Sequence, residues 1–141
     1  MPTLQKYGKV HLGLGCYIAS ENPRRDIRTI TNANSQFWSI ITLLAVNKMH
    51  QLIDKAGYQN DIKCISTIYD SIYYTVTENL EIIQWLNNNL ISAMTKDFLV
   101  NQTVPNEACS EIGYNWADLV EIPNNCSVDT ISDTLRKLNE N

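Results

Sequence analysis

The sequence predicts an α+β fold in which a short antiparallel β-hairpin is packed against two long α-helices and followed by a C-terminal helical extension. Three observations predict it. Apolar residues recur at steps of three and four over residues 28–55 and again over residues 80–98. Between these stretches, residues 62–76 are rich in β-branched and aromatic side chains and carry a turn at their centre. A short amphipathic pattern follows Ser127.

Length and charge restrict the possible functions. The 141 residues fit one domain, and the formal net charge is −4. A protein that binds nucleic acid by itself usually carries a dense basic face. Here the basic residues cluster only at Arg24, Arg25 and Arg28, with Lys9 and His11 before them. Any DNA contact is therefore expected to be local, and much of the electrostatic attraction must come from another molecule.

The cysteines do not form a recognisable metal or disulfide pattern. Cys16, Cys64, Cys109 and Cys126 include no CxxC pair, and the two histidines are isolated. Unpaired thiols in a reducing compartment are favoured over a disulfide scaffold, since the chain is long enough to bury a core. No apolar run approaches the roughly 20 residues that span a bilayer, and no signal peptide is recognisable. We therefore expect no membrane partner and a cytoplasmic location.

The first elements are predicted from glycines and from helical spacing. Residues 9–14 are expected to form a strand or an extended arm, with nearby glycines permitting bends. Arg28, Asn32 and Gln36 stand four residues apart, so they project from one face of the helix predicted over 28–55. Gly57 is expected to end that helix.

The hairpin carries the most informative feature, which is the turn Ile68-Tyr69-Asp70-Ser71 between two apolar strands. An acidic residue at the tip of an apolar hairpin contributes little to packing. It is well placed to hold a divalent metal at the edge of a sheet. The alternative is a solvated turn aspartate, which is common in hairpins.

The remaining elements follow from capping signals. Thr77 is expected to cap the second helix, which should run to about Phe98. An irregular segment containing Val104-Pro105 and Gly113-Tyr114-Asn115-Trp116 comes next. Ser127 is expected to cap a last short helix that presents Ile131, Leu135 and Leu138 on one face.

The order and spacing of these blocks resemble the C-terminal part of the palm domain of family A DNA polymerases, the group of bacterial polymerase I and its phage relatives. That family has a Gly-Arg-rich strand, an Arg-x-x-x-Asn-x-x-x-Gln helix, a third conserved motif, typically His-Asp-Glu, between two strands, and a tail with Val-Pro-Leu and Gly-x-Asn-Trp. The corresponding residues are 7–11, the row Arg28, Asn32 and Gln36, the turn residues 69–71, and residues 104–105 and 113–116.

The resemblance implies a division of the chain and a function. Residues 1–119 would be the C-terminal part of a polymerase palm, and residues 120–141 a C-terminal extension. The chain would be a segment of a DNA-directed DNA polymerase, which performs template-directed nucleotidyl transfer. Its location would be the cytoplasm, of a bacterial host cell if the chain is phage-encoded.

The resemblance also implies roles for individual residues. Asp70 would be the catalytic aspartate that this chain supplies to a site of two Mg²⁺ ions. Arg28, Asn32 and Gln36 would contact the primer–template duplex, because amide side chains can donate to minor-groove acceptors that all base pairs share. Tyr69 would lie near the primer terminus. Alternatively, Arg28, Asn32 and Gln36 form a solvated polar stripe on the helix. Tyr69 would then be an ordinary aromatic residue of the hairpin.

Two further predictions concern Arg24, Arg25 and Trp116. The two arginines would contact phosphates or form a solvated helix start, and the sequence favours neither reading. Trp116 is expected to be a packing anchor for a tail laid back across the domain.

Several departures from the family pattern define the alternatives. Tyr69 replaces the usual His and Ser71 the usual Glu. Asp-Ser at this turn resembles the related single-subunit RNA polymerases, whereas the tail favours the DNA enzymes. The first metal motif and the Lys-bearing helix that holds the incoming dNTP are missing. A split enzyme, inactive until a separate polypeptide supplies the rest of the polymerase domain, is therefore the leading hypothesis. The alternatives are a catalytically inactive remnant, an accessory DNA-binding or structural module, and an unrelated small α+β domain.

Overall fold

The computed structural model describes residues 9–13, 15–19, 27–96, 103 and 105–140. The strands are β1 (Lys9–Gly13), β2 (Cys16–Ala19), β3 (Ile62–Ile68), β4 (Ser71–Val76), β5 (Ser110–Ile112) and β6 (Val120–Ile122). The helices are α1 (Ile27–Ala56), α2 (Leu80–Met94) and α3 (Val128–Asn139). The α+β class predicted from the sequence is confirmed.

The described strands form three separate antiparallel pairs of chain neighbours: β1 with β2, β3 with β4, and β5 with β6. In the first pair, Lys9 lies opposite Ala19, and Gly15 turns the chain with a φ of 79°. The sequence predicts one strand here, and β2 was not predicted. A four-residue strand is too short to show a period of its own, so its partner β1 decides its conformation.

Helix α1 ends as predicted at its glycine. Gly57 adopts the left-handed conformation, with a φ of 79°. The Gly57 N–H donates to the Asp54 carbonyl (3.2 Å), and the Tyr58 N–H donates to the Ile53 carbonyl (3.1 Å). These two bonds form a Schellman motif, which satisfies carbonyls that the last turn leaves free. The chain therefore reverses sharply into β3.

The start of α2 differs from the prediction. Asn79, not Thr77, is the N-cap, and its side-chain oxygen accepts from the backbone N–H groups of Glu81 and Ile82. Thr77 is bound elsewhere, because its N–H and its hydroxyl donate to the Asp61 carbonyl and carboxylate, at 2.9 and 3.2 Å. Thr77 thus closes the open end of the β3–β4 hairpin, and the helix begins after it.

Helix α2 is also shorter than predicted. It ends at Met94, and Thr95 is its C-cap. The Thr95 N–H and hydroxyl both donate to the Ile91 carbonyl, at 2.9 and 2.8 Å. A threonine that binds the preceding turn in this way favours a helix end. Phe98, where the sequence predicted the end, lies outside the described residues.

Two hydrophobic cores meet on α2. The first joins α1 to α2 and to the inner face of the β3–β4 hairpin, through the buried residues Ala45, Met49, Ile53, Ile62, Ile82, Leu86 and Ala93. The second joins the other side of α2 to β6 and α3, through Ile83, Ile122, Cys126, Ile131 and Leu135. Val76 packs against both cores. The hairpin is therefore fixed to the framework by its base and one face.

The C-terminal residues pack as the amphipathic pattern predicts. Ser127 caps α3 by accepting from the Thr130 N–H (3.2 Å), and Ile131 and Leu135 are buried against α2 and β6. The pair β5–β6 was not predicted, because three-residue strands are too short to show alternation. The proposed division between residues 119 and 120 falls just before β6 and stays a prediction.

Candidate functional site

The tip of the β3–β4 hairpin is a two-residue turn under backbone strain. Ile68 lies opposite Ser71 in the register, so Tyr69 and Asp70 form the connection. Tyr69 has a φ of 53°, a left-handed conformation that is uncommon for a bulky residue, and its side chain is 77% exposed. Strain of this kind persists only where the surrounding structure imposes it, and it occurs often at functional sites.

The Asp70 carboxylate is exposed to solvent at this tip. Its side chain is exposed, and it makes no hydrogen bond or ion pair with any described residue. The flanking Ile72 packs against the first core, so the turn is held close to a rigid support. The geometry leaves both carboxylate oxygens available to a ligand.

The row Arg28, Asn32 and Gln36 lies on the first third of α1, and all three side chains are exposed. Among the α1 residues whose side chains are described, the first buried one is Ile41. Within the described chain, no hydrogen bond connects the row with Asp70. The row thus forms a free polar surface on the helix, as its spacing predicts. Arg24 and Arg25 lie outside the described residues.

The hairpin has two different faces, which strand alternation separates. On the inner face, Ile72, Tyr74 and Val76 pack against the first core. On the outer face, Tyr73 contacts Trp116, with ring centroids 4.9 Å apart and an interplanar angle of 45°. Trp116 was predicted to be a packing anchor, and this ring contact is the packing that it makes with the hairpin. Its side chain nevertheless remains 60% exposed.

A β-bulge interrupts the pairing in the middle of β3. Cys64 lies opposite Tyr74 and Ser66 opposite Tyr73, which leaves Ile65 without a register partner and 50% exposed. The buried Tyr74 hydroxyl lies beside the Cys64 thiol. Its burial, and to a smaller extent the neighbouring Cys64 thiol, raise the pKa of Tyr74 well above its ordinary value. Tyr74 is therefore neutral across the physiological pH range.

The loop between β5 and β6 contains the Gly-x-Asn-Trp tail, and its residues bind one another. The Asn115 side-chain oxygen accepts from the N–H groups of Ala117 (2.7 Å) and Asp118 (3.0 Å). A Cβ on Gly113 would lie 2.2 Å from the Asp118 carbonyl oxygen, so only glycine fits there. Tyr114 connects the loop to its neighbours, since its hydroxyl bonds Glu78 and accepts from Asn139, both at 3.1 Å.

An open pocket of about 350 Å³ lies at the opposite end of the hairpin, beside the C-terminal turns of α1. His50, Asp54, Lys63 and Cys64 contribute to its lining. The Lys63 ammonium group donates to the Gln59 carbonyl. Among the described residues, no group of three or more His, Cys, Asp or Glu side chains is arranged to hold a metal ion.

Sequence reasoning missed the contact between Tyr73 and Trp116 and the Tyr114–Glu78 hydrogen bond. Alternation along β4 does predict that Tyr73 and Tyr74 point to opposite faces. The partner of Tyr73 stands more than 40 residues away in the chain, so no local pattern identifies it. In the described part of the chain, no helix combines the length and apolar character needed to cross a membrane.

Comparison with protein-family models, with curated proteins and with solved structures finds no match to this chain.

Proposed function

We propose that this chain is a segment of a DNA-directed DNA polymerase that supplies one metal-binding aspartate and part of the duplex-binding surface of a split enzyme. The observation that carries the proposal is the position of Asp70. Its carboxylate is exposed on a two-residue turn, makes no bond with a described residue, and stands on a hairpin packed against α1 and α2. A rigid support of this kind fixes the direction in which a ligand is held.

The residues fit a magnesium site that two polypeptides share. Mg²⁺ prefers hard oxygen ligands and keeps several waters, so one carboxylate from each contributing segment is enough. When bound, two Mg²⁺ ions lower the pKa of the attacking hydroxyl and stabilise the charge that develops on the reacting phosphate. Asp70 would hold the metal, and the exposed Tyr69 beside it would contact the sugar at the primer terminus.

Helix α1 would contribute the duplex contacts. Arg28 would meet a phosphate or sugar, which positions the duplex without reading its sequence. Asn32 and Gln36 would donate to minor-groove acceptors. Their exposure and the absence of bonds to other described side chains support this role. Arg24 and Arg25 precede this row in the sequence and are proposed to extend the same surface.

The partner polypeptide would carry the first metal motif and the helix that binds the incoming dNTP. Exposed apolar side chains support the existence of such a partner. On α1, Trp38 is 44% and Leu43 is 57% exposed, next to the part of the helix that is buried. Large apolar side chains exposed beside a buried helix face are what a docked partner would cover.

The decisive experiment is primer extension with Mg²⁺, in which this chain is mixed with the polypeptide encoded beside it and each is also assayed alone. We expect synthesis only in the mixture. Asp70→Ala should abolish that synthesis, and Asp54→Ala, which removes another exposed carboxylate, should leave it unchanged. Synthesis near the unmodified level with Asp70→Ala would contradict the metal role.

A second measurement separates DNA contact from catalysis. The variant Arg28→Ala/Asn32→Ala/Gln36→Ala should weaken binding of a fluorescent primer–template by the reconstituted mixture, as measured by anisotropy. Unchanged binding, together with no synthesis and no co-purification of the two chains, would favour a catalytically inactive remnant or a structural module.

A further inference from the structure

We propose that the outer face of the β3–β4 hairpin, with the loop that covers it, binds a segment of another polypeptide that carries Arg or Lys. We call this surface the aromatic–acidic face and define it by Tyr73, Tyr114 and Trp116 and by the carboxylates of Glu78 and Asp118. The proposal is independent of the polymerase function, because it rests on a different surface chemistry from that of Asp70 and α1.

The aromatic part of this face is ordered and accessible at the same time. Trp116 contacts Tyr73 on one side of its ring and remains 60% exposed. Tyr114 is 48% exposed, although its hydroxyl group takes part in two hydrogen bonds. Side chains that are held in place yet exposed lose little conformational entropy when a partner binds. Such rings are therefore suited to contact a ligand.

The two carboxylates keep their charge directed outward. Glu78 is hydrogen-bonded to the Tyr114 hydroxyl group, and Asp118 accepts from the Asn115 amide at 2.9 Å. Both side chains are exposed, and neither forms an ion pair with a described residue. Neutral donors fix their positions without neutralising them. A cation on this face would thus meet negative charge that no described basic side chain pairs with.

Charge complementarity decides which partner fits. A guanidinium or ammonium group placed over an indole or phenol ring is attracted by the ring and, here, by the adjacent carboxylates. Nucleic acid could stack on the rings, but its phosphates would be repelled by Glu78 and Asp118. The rings and the carboxylates together therefore favour a basic polypeptide over nucleic acid.

The test uses the full chain, ¹⁵N-labelled, and a nine-residue peptide of alternating Arg and Gly as the probe. The indole N–H resonance of Trp116 is identified by its loss in Trp116→Phe. We expect the peptide to shift this resonance saturably, and to shift the resonances of Trp38 and Trp85 much less. Measured from the shifts of backbone amide resonances, which every variant keeps, Trp116→Ala should weaken binding about three- to tenfold. Trp116→Phe, which keeps an aromatic ring, should weaken binding less.

A matched pair of charge variants separates this face from the general acidity of the chain. Glu78→Gln/Asp118→Asn should weaken binding about tenfold. Asp54→Asn/Glu107→Gln removes the same charge from two other exposed positions and should have a much smaller effect. Equal loss in both variants would show that net charge alone attracts the peptide and would overturn the proposal. A saturable shift of Trp116 with oligo(dT), and none with the peptide, would instead identify a nucleic-acid surface.

Discussion

Two hairpin connections in this molecule use their polar residues in opposite ways. The loop from Gly113 to Asp118 is occupied by its own contacts, since Asn115 accepts from two backbone N–H groups and donates to a carboxylate. The tip of the β3–β4 hairpin leaves Asp70 without a bond to any described residue and places Tyr69 in a left-handed conformation. In the loop, each characteristic residue has a structural reason. At the tip, the structure gives no such reason, which is what makes it a candidate site.

Both connections contain residues that resemble the family A polymerase pattern. Comparing them therefore shows which of the matching residues the structure alone explains. Gly113, Asn115 and Trp116 are explained by a close backbone approach, a turn and a ring contact. These roles would be kept in a protein with any function. Asp70 and the row on α1 would carry the proposed function, and their exposed side chains belong to neither core. Substitutions at four positions, each with a comparison variant, test this contrast and are ordered from the largest expected effect to the smallest.

Gly113→Ala should cause the largest loss of stability, about 1–3 kcal/mol in the free energy of unfolding. The added Cβ would lie 2.2 Å from the Asp118 carbonyl oxygen, so the loop must move away from its present position. Urea denaturation followed by circular dichroism measures the change. Gly57→Ala is the comparison variant. Its added Cβ meets no atom within 4 Å, so its loss of stability, about 1–2 kcal/mol, comes only from the left-handed φ. A smaller loss at Gly113 than at Gly57 would contradict the steric argument.

Asn115→Ala should cost about 1 kcal/mol, because two backbone N–H groups and one carboxylate lose their partner. Asn115→Asp keeps the accepting oxygen but places a second carboxylate beside Asp118. It should therefore fall between the unmodified chain and the alanine variant. The same denaturation experiment measures both. An unchanged midpoint for Asn115→Ala would show that the loop is not held by this side chain.

Tyr69→Gly should change stability in the opposite direction, raising the free energy of unfolding by about 0.5–1 kcal/mol. Glycine adopts a φ of 53° without the steric cost that tyrosine has, although it gains entropy in the unfolded chain. Tyr69→Asn should give a smaller gain, because asparagine tolerates this conformation better than most residues. If both variants are destabilised, contacts of the Tyr69 side chain stabilise the hairpin by more than its left-handed φ costs, which would contradict the prediction.

Asp70→Asn should have the smallest effect, within about 0.5 kcal/mol of the unmodified chain. The carboxylate is exposed and makes no bond with a described residue, so its charge contributes little to folding. Thermal denaturation at neutral pH measures the change. Asp61→Ala is the contrast, because it removes the acceptor of the Thr77 hydroxyl. A loss above about 1 kcal/mol at Asp70 would give this residue a structural role and remove the contrast between the two connections.

The sequence predicted the helices and the central hairpin because their signals are local. The end of α1 at Gly57, the turn at Tyr69-Asp70 and the Ser127 cap of α3 all depend on residues close in the chain. The errors arose where a distant partner competes. Thr77 has the chemistry of a cap, yet Asp61 binds it, and Asn79 takes the position at the helix start.

The sequence by itself determined that helices flank a central hairpin and which carboxylate stands at its turn, since periodicity and turn chemistry act over a few residues. Only the tertiary structure decided which polar side chains are bound internally and which stay available. It paired Tyr73 with Trp116, fixed Asn115 within its own loop, and left Asp70 exposed. The physical reason is that a hydrogen bond or ring contact between distant segments depends on their packing, which the chain establishes only when its cores form.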